Sequence, residues 1–211
     1  MRTRVKYCGI RNVRDAQTAV ELGVDAIGLV FYAPSVRAVG VFEAAEIADT
    51  IPALVTRVAL FLDATAAEVA SVLQHVDVDL LQFHGAETPE FCSQFDLPYI
   101  KSIARTDHGK LAQYAERYAQ ARALLLDSNL SGAPGGSGEI FDWHQPLKCA
   151  KPIVLAGGLN AGNVAAAIRM LHPYGVDVSS GIEAPRGEKN AALMENFMRE
   201  VKRVDNHADF D

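Results

Sequence analysis

The sequence lacks the features of several protein classes. Its 211 residues include only three cysteines, Cys8, Cys92 and Cys149, with no CxxC pair, so neither a disulfide framework nor a zinc site is indicated. The longest apolar stretch, from Ala26 to Ala33, is far shorter than the roughly 18 residues of a membrane-spanning helix. The first residues also lack the apolar segment of a signal peptide. We therefore expect a protein of the reducing cytoplasm with no membrane partner.

Cationic residues are sparse and dispersed. The formal net charge is −6, and the longest run of Lys or Arg is the pair Lys202-Arg203. Nucleic-acid binding requires a basic stripe that neutralises phosphates, so we expect no nucleic-acid partner. The chain also lacks a GxGxxG turn, a P-loop, HExxH and metal-ligand spacing of Asp, Glu and His. We expect no metal and no cofactor.

Short apolar or β-branched runs alternate with longer amphipathic stretches from one end of the chain to the other. The predicted strands are Arg4–Ile10, Ala26–Phe31, Arg57–Leu62, Leu80–His84, Tyr99–Ile103, Ala123–Asp127, Pro152–Gly157 and Gly175–Ser180. The predicted helices are Val13–Leu22, Phe42–Ile51, Ala66–Val76, Pro89–Phe95, Gly109–Ala121, Asp142–Cys149, Ala161–Leu171 and Ala191–Val204. The chain therefore contains eight predicted βα units.

Eight units of about 26 residues each lie near the lower size limit of a (β/α)8 barrel. We predict an α/β fold consisting of a single TIM barrel over residues 1–205, with a short acidic tail, 206–211, that frays. A doubly wound open sheet has the same alternation and remains the alternative, although such sheets typically have fewer strands. No linker divides the chain, and the Gly- and Ser-rich stretch Ser131–Gly138 is interpreted as a mobile βα loop.

In a barrel, chemistry takes place at the carboxyl ends of the strands. Gly157, Gly158 and Leu159 follow the seventh strand, and Ser180 and Gly181 follow the eighth. These two loops commonly bind phosphate through backbone N–H groups, so they favour a phosphorylated substrate. The alternative is that the glycines serve only tight turns that require positive φ.

Two residues at this rim are candidates for proton transfer. Asp127 ends an apolar strand, where partial desolvation suits a general acid. It could instead cap the following turn. Cys8 lies two residues before the end of the first predicted strand, on the same face as Lys6 and just before a glycine. It is either a catalytic thiol, which without perturbation would titrate near pH ~8.5, or a buried packing residue.

Three further polar residues lie at the same rim. Arg37 could present a bidentate guanidinium to a carboxylate, or it could be a solvated surface residue. His84 and Gln82 share a strand face, and a structural histidine is at least as common there as a catalytic one. Both remain candidates on position alone.

Together these residues resemble the phosphoribosylanthranilate isomerase family of tryptophan biosynthesis. The matching segments are Val5-Lys6-Tyr7-Cys8-Gly9-Ile10, Gly28-Leu29-Val30-Phe31 with Ser35-Val36-Arg37, Leu81-Gln82-Phe83-His84-Gly85, Leu125-Leu126-Asp127-Ser128, Gly135-Gly136-Ser137-Gly138 with Phe141-Asp142-Trp143, Leu155-Ala156-Gly157-Gly158-Leu159, and Gly175-Val176-Asp177-Val178-Ser179-Ser180-Gly181-Ile182-Glu183. The last segment adds Asp177 as a candidate site residue.

The resemblance implies an Amadori rearrangement of N-(5′-phosphoribosyl)anthranilate to the carboxyphenylamino-deoxyribulose phosphate. It also implies Cys8 as general base, Asp127 as general acid and Arg37 as the group that holds the anthranilate carboxylate. The partner is then a small phosphorylated substrate, and the protein a monomer or homodimer. Three departures from the family pattern are Val36 in place of Pro, Arg11 in place of Thr or Ser, and Asn190 in place of Asp.

Two other function classes have been weighed. A sister phosphate-binding barrel of tryptophan or histidine biosynthesis would typically use Lys and Glu, or aspartates at strands one and five, whereas here strand one ends in Cys8. A non-catalytic barrel would be expected to lose Cys8 or Asp127, and both are present. The isomerase is therefore the favoured hypothesis.

Overall fold

Eight parallel strands close into a barrel in chain order in the computed structural model, which describes residues 2–127 and 149–207. The strands are β1 (Arg4–Cys8), β2 (Ala26–Val30), β3 (Thr56–Phe61), β4 (Leu80–Phe83), β5 (Tyr99–Ala104), β6 (Ala123–Asp127), β7 (Ile153–Ala156) and β8 (Gly175–Val178). Closure through the pairing of β1 with β8 confirms the predicted TIM barrel and excludes the open sheet.

Helices alternate with the strands on the outside of the barrel. They are α1 (Val13–Leu22), α2 (Val41–Asp49), α3 (Ala66–His75), α4 (Pro89–Ser93), α5 (Leu111–Arg117), α6 (Val164–Leu171) and α7 (Ala191–His207). Apart from Cys149, the predicted helix Asp142–Cys149 lies outside the described residues, as does the loop Ser131–Gly138. Helix α7 continues two residues past the predicted boundary at 205, and residues 208–211 also lie outside the described part.

Local signals in the sequence explain where several elements begin and end. The Asn12 side chain accepts a hydrogen bond from the Asp15 amide at the start of α1. Thr65 and Glu68 form a reciprocal capping box at the start of α3. Strand β1 stops at Cys8, two residues earlier than predicted, because Gly9 adopts φ +77° and turns the chain out of the extended conformation.

Two apolar layers enclose the strands. The larger packs the outer faces of the strands against the helices and includes Tyr7, Phe61, Phe83 and Phe197. The smaller fills the barrel interior around Ile100, Ala123, Leu125 and Ala156. Next to the carboxyl ends, the interior positions carry both apolar residues, such as Val30 and Leu60, and polar residues, which border the cavity described below.

In the described part of the chain, none of the helices combines the length and apolar character needed to cross a membrane.

Candidate active site

A cavity opens at the carboxyl ends of the strands. It encloses about 830 Å³ of empty space, including its opening to solvent. Its lining includes ten of the candidate residues, namely Cys8, Arg37, Gln82, His84, Asp127, Gly157, Gly158, Leu159, Asp177 and Ser180. The structure therefore brings together residues that lie far apart in the sequence.

Cys8 ends β1, and its side chain lies on the interior face of the barrel. Lys6, two residues earlier on the same strand, lies on the same face. Lys6 Nζ lies 3.0 Å from Asp177 Oδ1, and both side chains are buried. Gly28 of β2 faces this pair, and a Cβ atom there would lie 2.8 Å from Cys8 Sγ and 3.0 Å from Lys6 Nζ. The glycine thus provides the space in which the thiol and the ammonium group lie side by side.

Burial raises the pKa of the Cys8 thiol, whereas the charges of Lys6 and Lys189 act in the opposite direction. Burial also acts against the charged form of Lys6, but Asp177 and Cys8 outweigh it and raise the pKa of Lys6. Lys6 therefore remains an ammonium group. It limits the rise of the thiol pKa without reversing it.

Asp127 ends β6 on the interior face and contacts His84, which follows β4. The distance from His84 Nε2 to Asp127 Oδ2 is 3.1 Å. On its other side, His84 Nδ1 lies 3.3 Å from Gln82 Nε2, and Gln82 is fully buried. The three side chains form a row, so His84 is held by a partner at each ring nitrogen.

Arg37 is buried, with only 6% of its surface exposed, so the alternative of a solvated surface arginine is wrong. Its Nε donates to Glu183 Oε1 at 2.7 Å and its Nη2 to Glu183 Oε2 at 2.8 Å. The stem packs over Gly9, where a Cβ atom would lie 2.8 Å from Arg37 Cδ. The guanidinium is therefore fixed at the cavity wall by a bidentate ion pair.

Glu183 connects this arginine with a second cation. Lys189 Nζ donates to Glu183 Oε1 at 2.8 Å and to the Ser179 carbonyl at 3.1 Å, and Gly187 N–H donates to Glu183 Oε2 at 2.9 Å. Burial acts against the Glu183 carboxylate, but Arg37, Lys189 and Gly187 lower its pKa to about 2. The cluster therefore holds one carboxylate between two cations. Sequence reasoning assigned no role to Glu183, although it was part of the segment that matched the family.

The loops after β7 and β8 lie against each other. Gly157 and Gly158 have φ of +81° and +64°, which favours glycine. A Cβ atom on Gly181 would lie 1.9 Å from the Leu159 carbonyl oxygen. Among the described residues, the backbone N–H groups of Gly158, Leu159, Ser180 and Gly181 have no acceptor. This arrangement of donors is suited to an anion.

A buried ion pair on the outer side of the barrel supports the loop that carries His84. Lys101 Nζ lies 3.2 Å from Glu87 Oε2 and 2.6 Å from the Gly85 carbonyl oxygen, and Glu87 Oε2 accepts from Gly85 N–H at 2.9 Å. Both charged side chains are 2% exposed. Sequence reasoning missed this pair, because the apolar pattern of β5 gives no sign of which carboxylate Lys101 meets.

The three departures from the family pattern have identifiable surroundings. Val36 is half exposed, and Arg37 after it is still anchored, by Glu183 and by a hydrogen bond from its N–H to Ser35 Oγ at 3.1 Å. Arg11 donates to the Gly187 carbonyl at 3.4 Å. Asn190 Oδ1 accepts from the Leu193 amide at 3.1 Å at the start of α7. Both Arg11 and Asn190 therefore stabilise the ends of the loop after β8.

In the ranges 2–127 and 149–207, no three His, Cys, Asp or Glu side chains cluster in a way that could hold a metal ion. The ionisable groups that line the cavity instead include a thiol, a carboxylate paired with an imidazole, and a guanidinium. A TIM barrel with these groups at the carboxyl ends of its strands defines an enzyme built for acid–base chemistry on a small molecule.

The comparisons identify the family. Residues 5–200 match the family model described as N-(5′-phosphoribosyl)anthranilate (PRA) isomerase, and the chain belongs to this family. A relative of that name from Alcanivorax borkumensis is 49% identical over 207 residues, which cover 94% of this chain and 95% of the relative. One from Pseudomonas putida is 49% identical over 95% of this chain and 98% of its own length.

A solved structure agrees with this assignment. The phosphoribosyl anthranilate isomerase of Thermotoga maritima is similar to this chain with a TM-score of 0.84 and 34% identity, covering 95% of this chain and 99% of that one. A phosphoribosyl anthranilate isomerase with 32% identity and a TM-score of 0.80 over the same shares has been solved in complex with reduced 1-(o-carboxyphenylamino)-1-deoxyribulose 5-phosphate.

Proposed function

We propose that Cys8 and Asp127 divide between them the proton transfers of the family's reaction. The chain is an isomerase of L-tryptophan biosynthesis that converts N-(5′-phosphoribosyl)anthranilate to 1-(2-carboxyphenylamino)-1-deoxyribulose 5-phosphate. The observation that carries the proposal is that the Cys8 thiol and the Asp127 carboxylate line one cavity, from strands separated around the barrel by β7 and β8. They can therefore reach one bound sugar from two sides.

The first step opens the ribose ring. Protonated Asp127 donates its proton to the ring oxygen, the bond from C1′ to that oxygen breaks, and the anthranilate nitrogen supplies the electron pair that forms the iminium ion. Asp127 is left as a carboxylate. His84, at 3.1 Å, can donate a hydrogen bond to that carboxylate, which favours the products of this step.

The second step moves hydrogen within the open chain. The Cys8 thiolate removes the proton from C2′, and the electron pair neutralises the iminium to give an enolamine. This intermediate gains a proton at C1′ and loses one from O2′, which gives the ketone. The atoms balance without an external oxidant or reductant. Lys6 and Lys189 favour the thiolate that the step requires.

Two contacts orient the substrate in this account. The phosphate binds to the N–H groups of Gly157, Gly158, Leu159, Ser180 and Gly181, which belong to the two adjoining loops. The anthranilate carboxylate binds to Arg37, which Glu183 holds at the cavity wall. Asp177 takes no direct part and keeps Lys6 charged. Anchoring both ends leaves the sugar carbons between the acid and the base.

The experiment is an assay of the pure protein. N-(5′-phosphoribosyl)anthranilate, generated enzymatically, is fluorescent, and its loss reports turnover. We expect rapid loss with the wild-type protein, with and without a chelator, and a loss slowed by about 10²–10⁴-fold in both Cys8→Ser and Asp127→Asn. Wild-type turnover in either variant would overturn the assignment of that residue.

We further propose a cytoplasmic location and a monomeric or homodimeric state. A Thermotoga maritima relative with 32% identity is described as dimeric phosphoribosylanthranilate isomerase, from which monomers have been generated. Light scattering coupled to size-exclusion chromatography decides between the two states for this chain. A larger assembly would contradict both.

A further inference from the structure

The amide of Gln82 is a buried polar group whose hydrogen bonding is incomplete. It is fully buried on the interior face of β4, two residues before His84, and it lines the cavity. Its Nε2 lies 3.3 Å from His84 Nδ1, whereas its Oε1 has no hydrogen-bond partner among the described residues. A buried amide oxygen without a partner is costly, so its position needs an explanation.

The orientation of the amide determines which nitrogen of His84 carries the proton. With Nε2 of Gln82 facing the ring, the amide donates and Nδ1 must be the unprotonated acceptor. The proton of neutral His84 then resides on Nε2, where it is donated to Asp127 Oδ2. This arrangement fits Asp127 as a carboxylate, which is its state after it has given its proton to the substrate.

The opposite orientation fits the state before that transfer. When the pair of His84 and Asp127 holds one proton more, either Asp127 is a carboxylic acid that donates to Nε2, or His84 is an imidazolium. In both cases Nδ1 carries a hydrogen. A half-turn of the Gln82 amide places Oε1 opposite that hydrogen and gives the oxygen the partner that it otherwise lacks.

We propose that Gln82 is a positioning residue whose amide inverts as the pair of His84 and Asp127 gains and loses the catalytic proton. The proposal rests on the proposed role of Asp127 as the acid. Gln82 touches neither Asp127 nor the substrate in this scheme, and it acts through the tautomer of His84. One neutral side chain thereby gives Nδ1 of His84 a partner in both protonation states.

Other ionisable groups of residues 2–127 and 149–207 also line the cavity. They are Cys8 of β1, Tyr32 and Arg37 after β2, and Asp177 of β8. Strands β3 and β7 contribute only apolar lining residues, and Lys101 of β5 is directed to Glu87 outside the cavity. A substitution of Gln82 therefore affects the protonation of His84 more directly than a substitution of any of these groups would.

The test uses two substitutions with opposite consequences. Gln82→Met has a similar size but offers Nδ1 neither a donor nor an acceptor. Because an unpaired buried N–H group costs more than an unpaired lone pair, and most when the ring is charged, this variant disfavours the protonated pair. Gln82→Glu places a carboxylate at Nδ1 and favours that state. We expect the titration midpoint of the His84 ring, followed by ¹⁵N NMR, to fall by about one pH unit or more in Gln82→Met and to rise in Gln82→Glu. Gln94→Met, at the exposed glutamine that follows the short helix α4, is the control.

The wild-type spectrum provides an independent check. Above the midpoint, His84 is expected as the neutral tautomer protonated at Nε2, and kcat should respond to the Gln82 variants with little change in KM. Neutral His84 protonated at Nδ1, or midpoints that are unchanged or move in the same direction in both variants, would overturn the proposal. If Gln82→Met does not fold, the wild-type tautomer and the sign of the Gln82→Glu shift still decide.

These measurements separate the inference from the function on which it rests. The NMR midpoints are obtained on the free protein without substrate. Opposite shifts together with full turnover in Asp127→Asn would retain the coupling of Gln82 to His84 and refute Asp127 as the acid. Absent shifts together with a large loss of turnover in Asp127→Asn would refute the coupling of Gln82 to His84 and retain Asp127 as the acid.

Discussion

Both carboxylate oxygens of Glu183 accept hydrogen bonds from the Arg37 guanidinium, at 2.7 Å and 2.8 Å, although the two residues lie 146 positions apart in the sequence. The same carboxylate binds Lys189 at 2.8 Å. Arg37 lines the cavity and already has an acidic partner before any substrate binds. The substrate proposed for this cavity carries a carboxylate and a phosphate. The role of Glu183 in this account is to fix the arginine so that little ordering is needed when the substrate binds.

Removing the charge of Glu183 tests this role. In Glu183→Gln, the forked ion pair is lost and Arg37 becomes mobile, so we expect kcat/KM to fall about 10- to 100-fold, mainly through a higher KM. Steady-state kinetics measure the effect. Glu188→Gln, an exposed glutamate of the same loop, should behave as wild type. A fall confined to kcat would contradict a binding role.

Arg37 itself should be needed for its shape as well as its charge. We expect Arg37→Lys to retain part of the substrate affinity and Arg37→Ala to lose more, because lysine keeps the charge but not the fork. Binding of anthranilate-containing and decarboxylated analogues is compared by calorimetry. If the wild type binds both analogues equally, Arg37 does not recognise the carboxylate.

Glu183 also predicts how stability depends on pH. Its pKa is about 2 in the folded protein, against 4.5 for the unperturbed group, so the unfolded chain binds more protons between these values. The contribution is complete above pH 4.5 and is lost as the pH falls towards 2, by about 3 kcal/mol in total. The free energy of unfolding, measured with urea at pH 7 and pH 3, should decrease less between these two pH values in Glu183→Gln than in the wild type. Equal losses would refute the prediction.

The charge of Lys6 should control the reactivity of Cys8. Replacing the buried pair together, in Lys6→Met with Asp177→Asn, removes the cation without leaving an unpaired carboxylate. We expect iodoacetamide to modify Cys8 more slowly at pH 8, because the loss of Lys6 raises the pKa of the thiol by more than the loss of Asp177 lowers it. Mass spectrometry identifies the modified site, and Cys8→Ser is the blank. Unchanged or faster modification would show that Lys6 does not assist the thiolate.

The contact between the two glycine loops makes a further prediction. Gly181→Ala would push its Cβ atom into the Leu159 carbonyl oxygen, so the loops must separate and the proposed phosphate donors diverge. We expect at least about tenfold weaker binding of inorganic phosphate and of substrate. Gly109→Ala, where a Cβ atom meets nothing within 4 Å, is the matched control. Unchanged phosphate affinity in Gly181→Ala would contradict the proposed anion site.

The sequence was sufficient to predict the strands of the barrel and several of the residues at their carboxyl ends. Alternating apolar runs predicted all eight strands, and their ends differ from the observed ones by at most two residues. The alternation of side chains along β1 placed Lys6 and Cys8 on one face, and positions near the carboxyl ends of β4 and β6 placed Gln82 and Asp127 at the same rim. Position along a strand is a local property, so it can be obtained from sequence.

The partners of these residues could not be obtained in this way. Lys6 meets Asp177 across 171 residues of sequence, and Lys101 meets Glu87 from the outer face of the barrel. Several carboxylates lie at comparable positions in the predicted strands and loops. Which of them pairs with a given lysine depends on the closure of the barrel and on the path of the loops. The same holds for Arg37, whose burial depends on Gly9 and Glu183 rather than on its own neighbours.

The central claim, that Cys8 is the base in a cavity shared with Asp127, is tested most directly by separating binding from turnover in Cys8→Ser. Affinity for the reduced product analogue is measured by calorimetry and turnover by the loss of substrate fluorescence. The account predicts near-wild-type affinity with kcat lower by about 10²–10⁴-fold. Near-wild-type kcat at unchanged affinity would contradict it and reduce Cys8 to a packing residue.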